Sequence, residues 1–358
     1  MSVPVLSDGV VTLRAHVPGD IDDMLQMAQD PEMIRWTAVP TPHTREMSER
    51  FAFEHIPAGW DDGTARAWAI EVEGRFAGNV DMRQEPITDI GFALHPWARG
   101  RGVMTRAVRL AVDWTLNNTA IEIVHWRAHV GNEASLRVAH AAGFTLHGTT
   151  PGIVHERGQV LDAWTGSIRF GDAPVARTPW VGSQVLESDR LRLRPFVPAD
   201  IDRSIEACTD PDSRHWLAGL PSPYTRAEAE KYFADCTWNA ATGTKATWCI
   251  ADRETDALLG NLAIMDLRDA GGEIGYWLHP DARGRGIMTE AVAMAVEHAW
   301  TGLNRRRLSL HAAAGNAASN AIAVANGFTL FGTQHAAEPL GDGTHDDLNG
   351  YELLRSPQ

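Results

Sequence analysis

The feature that most constrains this chain is that it repeats itself. The stretch Ile90-Gly-Phe-Ala-Leu-His-Pro-Trp-Ala-Arg-Gly-Arg-Gly-Val-Met-Thr-Arg-Ala-Val108 returns 184 residues later as Ile274-Gly-Tyr-Trp-Leu-His-Pro-Asp-Ala-Arg-Gly-Arg-Gly-Ile-Met-Thr-Glu-Ala-Val292, with 14 of 19 positions identical. At the same offset, Gly131-Asn132-Glu-Ala-Ser135 and Gly143-Phe144-Thr-Leu146 match Gly315-Asn316-Ala-Ala-Ser319 and Gly327-Phe328-Thr-Leu330. Upstream, Val17-Pro-Gly-Asp-Ile-Asp22 and Trp36 match Val197-Pro-Ala-Asp-Ile-Asp202 and Trp216 at an offset of 180. A common order with only loop-sized drift in offset means one domain duplicated in tandem. With 358 residues, each copy is long enough for a core of its own. The expected division is residues 1–170 and 182–358. A Pro-containing, apolar-poor linker is expected at 171–181.

Within each copy the periodicities alternate. Strand patterns centre on Trp68–Ile70, Gly78-Asn79 and Asp89–His95, with counterparts at Trp248–Ile250, Gly260-Asn261 and Glu273–His279. Helical spacing then runs over Met104–Leu116 and Met288–Trp300. A further strand, a helix starting near the Asn, Gly-Phe and a closing hairpin complete the copy. This is an α+β pattern, an antiparallel-rich sheet with one strand–loop–helix unit at its centre.

Composition excludes several classes. Apolar residues are 44% and charged residues 22%, so a disordered or fibrous chain is ruled out. Apolar runs fall short of the roughly 20 residues a membrane span needs. The first residues show no signal-peptide pattern, so a cytoplasmic protein is expected. Cys208, Cys236 and Cys249 are too few for a disulfide framework or a Cys-rich zinc site, and no His pair has metal-ligand spacing, so no metal is expected. The net charge of −14 is shared by both copies. It excludes a nucleic-acid footprint and suits a cationic acceptor.

The chemistry sits in Arg99-Gly100-Arg101-Gly102 and Arg283-Gly284-Arg285-Gly286, each between a strand and a helix. Glycines there permit a sharp turn that leaves N–H groups free at the positive end of the helix, a place for pyrophosphate. The arginines would add charge for further phosphates. Neither loop is a Walker loop or a Gly-x-Gly-x-x-Gly fingerprint.

These loops, with Asn132-x-x-Ser135 and Asn316-x-x-Ser319, resemble the GNAT superfamily of N-acetyltransferases, in particular its RimJ/RimL-like branch. Leu186-Glu-Ser-Asp-Arg-Leu-Arg-Leu-Arg-Pro195 is similar to the opening of that branch. The resemblance implies tandem GNAT folds, each a mixed, mostly antiparallel twisted sheet flanked by helices. It implies acetyl-CoA as cosubstrate and direct attack of an amine on the thioester. The acceptor would be a protein N-terminus, a lysine or a small-molecule amine. Alternatives that keep the fold are another acyl-CoA as donor, or a non-catalytic acyl-CoA sensor. By the same resemblance the cofactor would be held by the main chain around Leu94 and Leu278, on a bulged strand. It would also be held by Arg99, Gly100, Arg101, Gly102, Val103, Met104 and Thr105, by Arg283, Gly284, Arg285, Gly286, Ile287, Met288 and Thr289, and by Asn132 and Asn316. The family's common tyrosine acid falls on Ala139 and Ala323, so Ser135 and Ser319 take that role, although a Ser there also suits a helix cap. Glu338 lies where the branch carries its base. The first copy has Val154 at that offset, with Glu156 nearby. The two copies are expected to act as a pseudo-dimer within a monomer, or as a homodimer. Ala93 against Trp277 is the sharpest difference between the copies, and strand parity alone leaves its face open.

Overall fold

Strand alternation and the central amphipathic helix of each repeat build two sheets. The computed structural model describes residues 3–356 except 85, 86, 183 and 268, and the chain divides into the units Met1–Arg177 and Thr178–Gln358. The N-terminal unit has strands β1 (Leu6–Ser7), β2 (Thr12–Arg14), β3 (Ala65–Val72), β4 (Arg75–Arg83), β5 (Asp89–Leu94), β6 (Ile123–His129), β7 (Thr145–Glu156) and β8 (Gln159–Arg169). Its helices are α1 (Ile21–Ala28), α2 (Pro31–Trp36), α3 (Arg45–Arg50), α4 (Ile56–Asp62), α5 (Val103–Asn118) and α6 (Glu133–Ala141). The C-terminal unit has β9 (Leu186–Glu187), β10 (Leu191–Arg194), β11 (Ala246–Asp252), β12 (Leu258–Met265), β13 (Glu273–Leu278), β14 (Arg307–Ala313), β15 (Thr329–Pro339) and β16 (His345–Leu354). Its helices are α7 (Ile201–Thr209), α8 (Pro211–Trp216), α9 (Arg226–Thr242), α10 (Ile287–Thr301) and α11 (Ala317–Ala325). The sheet orders are β1-β2-β3-β4-β5-β6-β8-β7 and, in the same sense, β9-β10-β11-β12-β13-β14-β16-β15. Among the described residues the parallel pair of each sheet is β5–β6 or β13–β14, and the other pairs are antiparallel. A parallel pair needs a crossover, and α5 and α10 supply it. The architecture is α+β, two tandem copies of one mixed sheet. Among the described residues no helix is long and apolar enough to cross a membrane.

The residues of the expected linker are held by the unit on their own side of the division. Arg177 donates to the Gly143 carbonyl at 3.0 Å, and the Val181 N–H donates to the Ala240 carbonyl at 3.0 Å.

Helix α5 buries Val103, Met104, Ala107, Val108, Ala111, Val112, Thr115 and Leu116, a stripe at helical spacing that packs on the sheet. Each large aliphatic side chain there contributes about 1.5–3 kcal/mol by leaving water. Nearby, Trp60, Trp68 and Trp114 meet edge to face, with centroids 5.0 and 5.5 Å apart. In the C-terminal unit Trp248 meets His298 instead, at 5.6 Å.

One residue accounts for the largest difference in helices. Where the C-terminal unit has the unbroken 17-residue α9, the N-terminal unit has α3, a π turn over Phe51–His55 and α4. Pro57, with no N–H to return to the preceding turn, lies in the first turn of α4. The wider π turn before it absorbs the missing bond. The short helices α2 and α8 had a legible signal, Asp30-Pro31 and Asp210-Pro211. In each, Asp caps the helix and Pro occupies its first position.

The sheet opens at its centre. β5 pairs with β4 along its whole length but with β6 only at Asp89↔His125. β13 pairs with β12 throughout and with β14 only at Glu273↔Ser309 and Ile274↔Leu310. Beyond those points the parallel strands part and leave a wedge with one free strand edge. The expected bulge is displaced by one strand: β5 and β13 keep an unbroken register, and the shifts fall at Ile70/Glu71 and Ile250/Ala251. They leave Ala77 and Leu259 as extra residues, whose carbonyls accept from His95 at 2.8 Å and His279 at 2.9 Å.

Candidate active site

Main-chain groups line the wedge. In an antiparallel ladder alternate residues turn both polar groups to the same neighbour. Ala93 is paired with Asn79 and turns its carbonyl toward β4, where a Cβ on Gly78 would overlap it. Gly78 is therefore what lets β4 lie so close. Phe92 and Leu94 consequently turn their N–H and C=O groups to the open edge. Tyr276 and Leu278 do the same in the C-terminal unit, where Gly260 faces the Trp277 carbonyl. The Leu94 carbonyl is partly engaged, accepting from Arg99 Nε at 3.2 Å.

The glycine-rich loop lies just past this edge. Gly100 and Gly102 both have φ +72°, and Gly284 and Gly286 have +70° and +73°, the left-handed region that a side chain disfavours. Nothing lies within 4 Å of where a Cβ on Gly100, Gly102 or Gly284 would sit, so the cradle is open. No side chain caps α5 or α10. The first return bonds run from Arg106 to Gly102 at 3.3 Å and from Glu290 to Gly286 at 3.2 Å. The N–H groups of Val103, Met104 and Thr105, and of Ile287, Met288 and Thr289, are left pointing outward. Val103, Met104, Ile287 and Met288 bury their side chains in the core, so only their main chain faces the cradle. A pyrophosphate fits such a set of donors.

The arginines divide into two kinds. Arg99 is bound to Asp30 at 2.6 Å, and Arg283 is bound to Asp210 at 2.6 Å, Ser213 at 2.8 Å and Asp212 at 3.1 Å. Burial alone would raise the Asp30 and Asp210 carboxyls, yet these arginines hold them below the ordinary value. Both aspartates are the caps of α2 and α8, so Arg99 and Arg283 brace the loop to those helices. Arg101 is exposed, 3.0 Å from Glu73 and over the Trp97 ring. Arg285 is exposed as well.

Asn132 and Asn316 cap α6 and α11, each accepting from the N–H of Ser135 or Ser319 at 3.1 Å. The cap is thus the asparagine's, and the serine hydroxyl is left over. Ser135 Oγ accepts from the Trp126 indole at 3.0 Å, which leaves its O–H free to donate. Beside Ser319 stands Tyr276, whose hydroxyl donates to the Ser319 carbonyl at 3.5 Å, and burial pushes that phenol up to about 12. Phe92 occupies its place in the N-terminal unit. Glu338 faces Asp346 across the β15–β16 hairpin. Burial pushes its carboxyl up, Asp346 adds to this and His311 opposes it. Asp346 in turn accepts from Gly315 at 2.7 Å, so Glu338 is tied to the loop that carries Asn316 and Ser319.

The structure decides the face of Ala93 and Trp277. Ala93 packs on Ile21, Met24 and Met27 of α1, and Trp277 packs on Ile201 and Cys208 of α7 with Ala229 of α9. Both lie on the side of the sheet away from α5 and α10. Sequence reasoning passed over His129 on this face. Its Nε2 is 3.2 Å from a Glu156 carboxylate that is 9% exposed. Trp36 covers it, ring to ring at 6.3 Å.

The acetyltransferase (GNAT) domain matches residues 11–145 and again 190–329. The ribosomal-protein-serine acetyltransferase of Escherichia coli (strain K12) is 38% identical over 86 residues, 24% of this chain and 48% of that protein. The chain therefore spans about half the length of that curated relative. The uncharacterized N-acetyltransferase YoaA of Bacillus subtilis (strain 168) is 26% identical over 175 residues, 48% of this chain and 97% of that protein. Among solved structures, RimL, the ribosomal L7/L12 alpha-N-protein acetyltransferase in complex with coenzyme A, is 23% identical with a TM-score of 0.44, covering 48% of this chain and 98% of its own. RimJ of Mycobacterium smegmatis is 20% identical with a TM-score of 0.46, covering 51% and 92%. With its domain present twice and most of the chain matched, this protein belongs to the GNAT acetyltransferase family, whose cosubstrate is acetyl-CoA.

Proposed function

We propose that the chain moves an acetyl group from acetyl-CoA directly to a primary amine, with a protein α-amine as the acceptor class. The observation that carries this reading is the wedge, with its free strand edge leading straight into an uncapped, glycine-opened helix start, present in both units. The pyrophosphate would lie on Gly100, Gly102 and the N–H groups of Val103, Met104 and Thr105, with Arg101 alongside. In the C-terminal unit the corresponding groups are Gly284, Gly286, Ile287, Met288, Thr289 and Arg285. The edges at Phe92 and Leu94, and at Tyr276 and Leu278, would hold the pantetheine arm and the thioester carbonyl. Acetyl-CoA supplies an activated thioester when bound. The protein's part is to orient it, to polarise the carbonyl with main-chain donors and to move two protons. Ser135 and Ser319 would protonate the departing thiolate, and Glu338 would take the ammonium proton in the C-terminal unit. A net charge of −14 favours approach of an ammonium. The relative's printed name, a ribosomal-protein-serine acetyltransferase, supports serine as the residue to bear the α-amine in the first acceptor tried.

The test is to incubate the full chain with acetyl-CoA and a peptide with a free N-terminal serine, beside the same peptide blocked at its N-terminus but carrying a lysine. One acetyl group added to the first peptide alone, read by mass spectrometry, is the expected result. Transfer to neither peptide overturns the reading. Transfer to the lysine alone overturns the acceptor class.

A further inference from the structure

We infer that His129, seated against Glu156, is the group that takes the acceptor's ammonium proton in the N-terminal unit; this rests on the reading that the unit acetylates an amine. The position of His129 follows from strand parity. Because Asp89 pairs with His125 across the parallel strands, residues 125, 127 and 129 share a face with 89, 91 and 93. That is the α1 side, where Ala93 lies. Trp126, on the opposite face, holds Ser135. A proton acceptor and a proton donor therefore stand on opposite faces of the sheet at the end of β6, beside the wedge. His129 also fixes the motif loop, its carbonyl accepting from the Asn132 N–H at 3.0 Å.

The dyad is built by the hairpin. Arg157 and Gly158, with φ +49° and +75°, form the two-residue turn between Glu156 and Gln159. Arg157 then reaches the Ile34 and Thr37 carbonyls at 2.7 and 2.8 Å. This clasp draws the hairpin over the end of α2 and sets Glu156 inward. With Nε2 facing Glu156, Nδ1 is the ring nitrogen that remains to meet the ammonium. The charged groups around the ring are Glu156, Arg157 beside it at 3.5 Å, Glu32 held by the Trp36 indole at 2.9 Å, and the Arg127–Asp89 pair two residues back on β6. The C-terminal unit has Ala313 in this position and Glu338 instead.

One proton leaves the ammonium for Nδ1 and passes from the imidazolium to water, with Glu156 offsetting the charge. The freed lone pair forms the N–C bond as the C–S bond breaks. Ser135 gives its hydroxyl proton to the departing sulfur, and the second proton of the nitrogen passes through water to the serine oxygen, which restores the hydroxyl.

An α-amine, with a pKa of about 7.7–8.0, is mostly ammonium at pH 7 and needs this base, whereas an alkoxyamine is already unprotonated. The experiment uses the full chain carrying Gly286→Glu, which closes the C-terminal cradle, with acetyl-CoA and either the N-terminal-serine peptide or methoxyamine. His129→Gln should lower transfer to the peptide roughly 100-fold or more while leaving transfer to methoxyamine within about threefold. Glu156→Gln should show the same selectivity with a smaller loss. Calorimetric affinity for coenzyme A should be unchanged in both, which also reports that they fold. Equal losses for both acceptors, or no loss for either, make the dyad structural and overturn the inference alone. Absence of transfer to either acceptor before substitution overturns the acetylation reading and the base with it.

Discussion

The two units agree where a donor would bind and differ where an acceptor would. On the donor side the copies are nearly superimposable in kind: paired glycines at φ near +70°, an uncapped helix start, an arginine bound to the capping aspartate at 2.6 Å, and an asparagine cap at 3.1 Å. On the other face the N-terminal unit carries Ala93, Asp81, His129 and buried His16. The C-terminal unit has Trp277, Ala263, Ala313 and Phe196 there. Even the shared task of docking the last hairpin on the second helix is done differently. Arg157 uses its guanidinium, while Gly341 donates its N–H to the His215 carbonyl at 2.8 Å. A duplicated enzyme can keep its cosubstrate chemistry and vary its acceptor chemistry because a β-sheet presents them on separate faces and edges.

The sharpest way to break this comparison is at Trp277. Trp277→Ala removes a partly buried aromatic that packs on α7, α9 and the sheet and should cost about 3 kcal/mol of stability, the low end for an aromatic, read by urea unfolding of the full chain. A loss below about 1 kcal/mol would mean that the side chain is not the filler described. Next is the helix break. Thr237→Pro places a proline inside α9, where Pro57 stands when both segments are counted back from their closing glycines, and should cost roughly 3 kcal/mol, while Pro57→Ala should change stability by less than about 1 kcal/mol. Equal effects would show that the π turn has another cause. The smallest effect concerns acid. Burial pushes His16 below its ordinary 6.5, its Nε2 bonds Asn79 at 2.7 Å and its Nδ1 has no partner. Because the unfolded chain binds this proton more readily, the stabilisation from keeping His16 neutral is full above about pH 6.5 and is lost as pH falls below it. Thermal unfolding between pH 7 and 5.5 should show a smaller drop in Tm for His16→Phe, which copies Phe196. An identical drop in both proteins would contradict the assignment.

Much of this was legible in the sequence. The repeat, the central strand–loop–helix and the Asn-x-x-Ser pairs are local patterns, and periodicity or spacing exposes them. Features that depend on tertiary pairing were not. Arg99 and Arg283 read as free loop charges until Asp30 and Asp210, some 70 residues away, are brought beside them. The bulge falls one strand earlier because register is a property of two strands. His129 and Glu156 lie 27 residues apart, and only the Arg157-Gly158 turn and its clasp on α2 make them a pair. A lone His in a strand carries no such signal.

The central claim is that both units hold acetyl-CoA in the same way, and calorimetric titration of acetyl-CoA into the full chain tests it most directly. Two equivalents bound, reduced to one by Gly102→Glu or by Gly286→Glu alone, is the predicted result. A single equivalent for the unaltered chain, insensitive to one of the two substitutions, would contradict it.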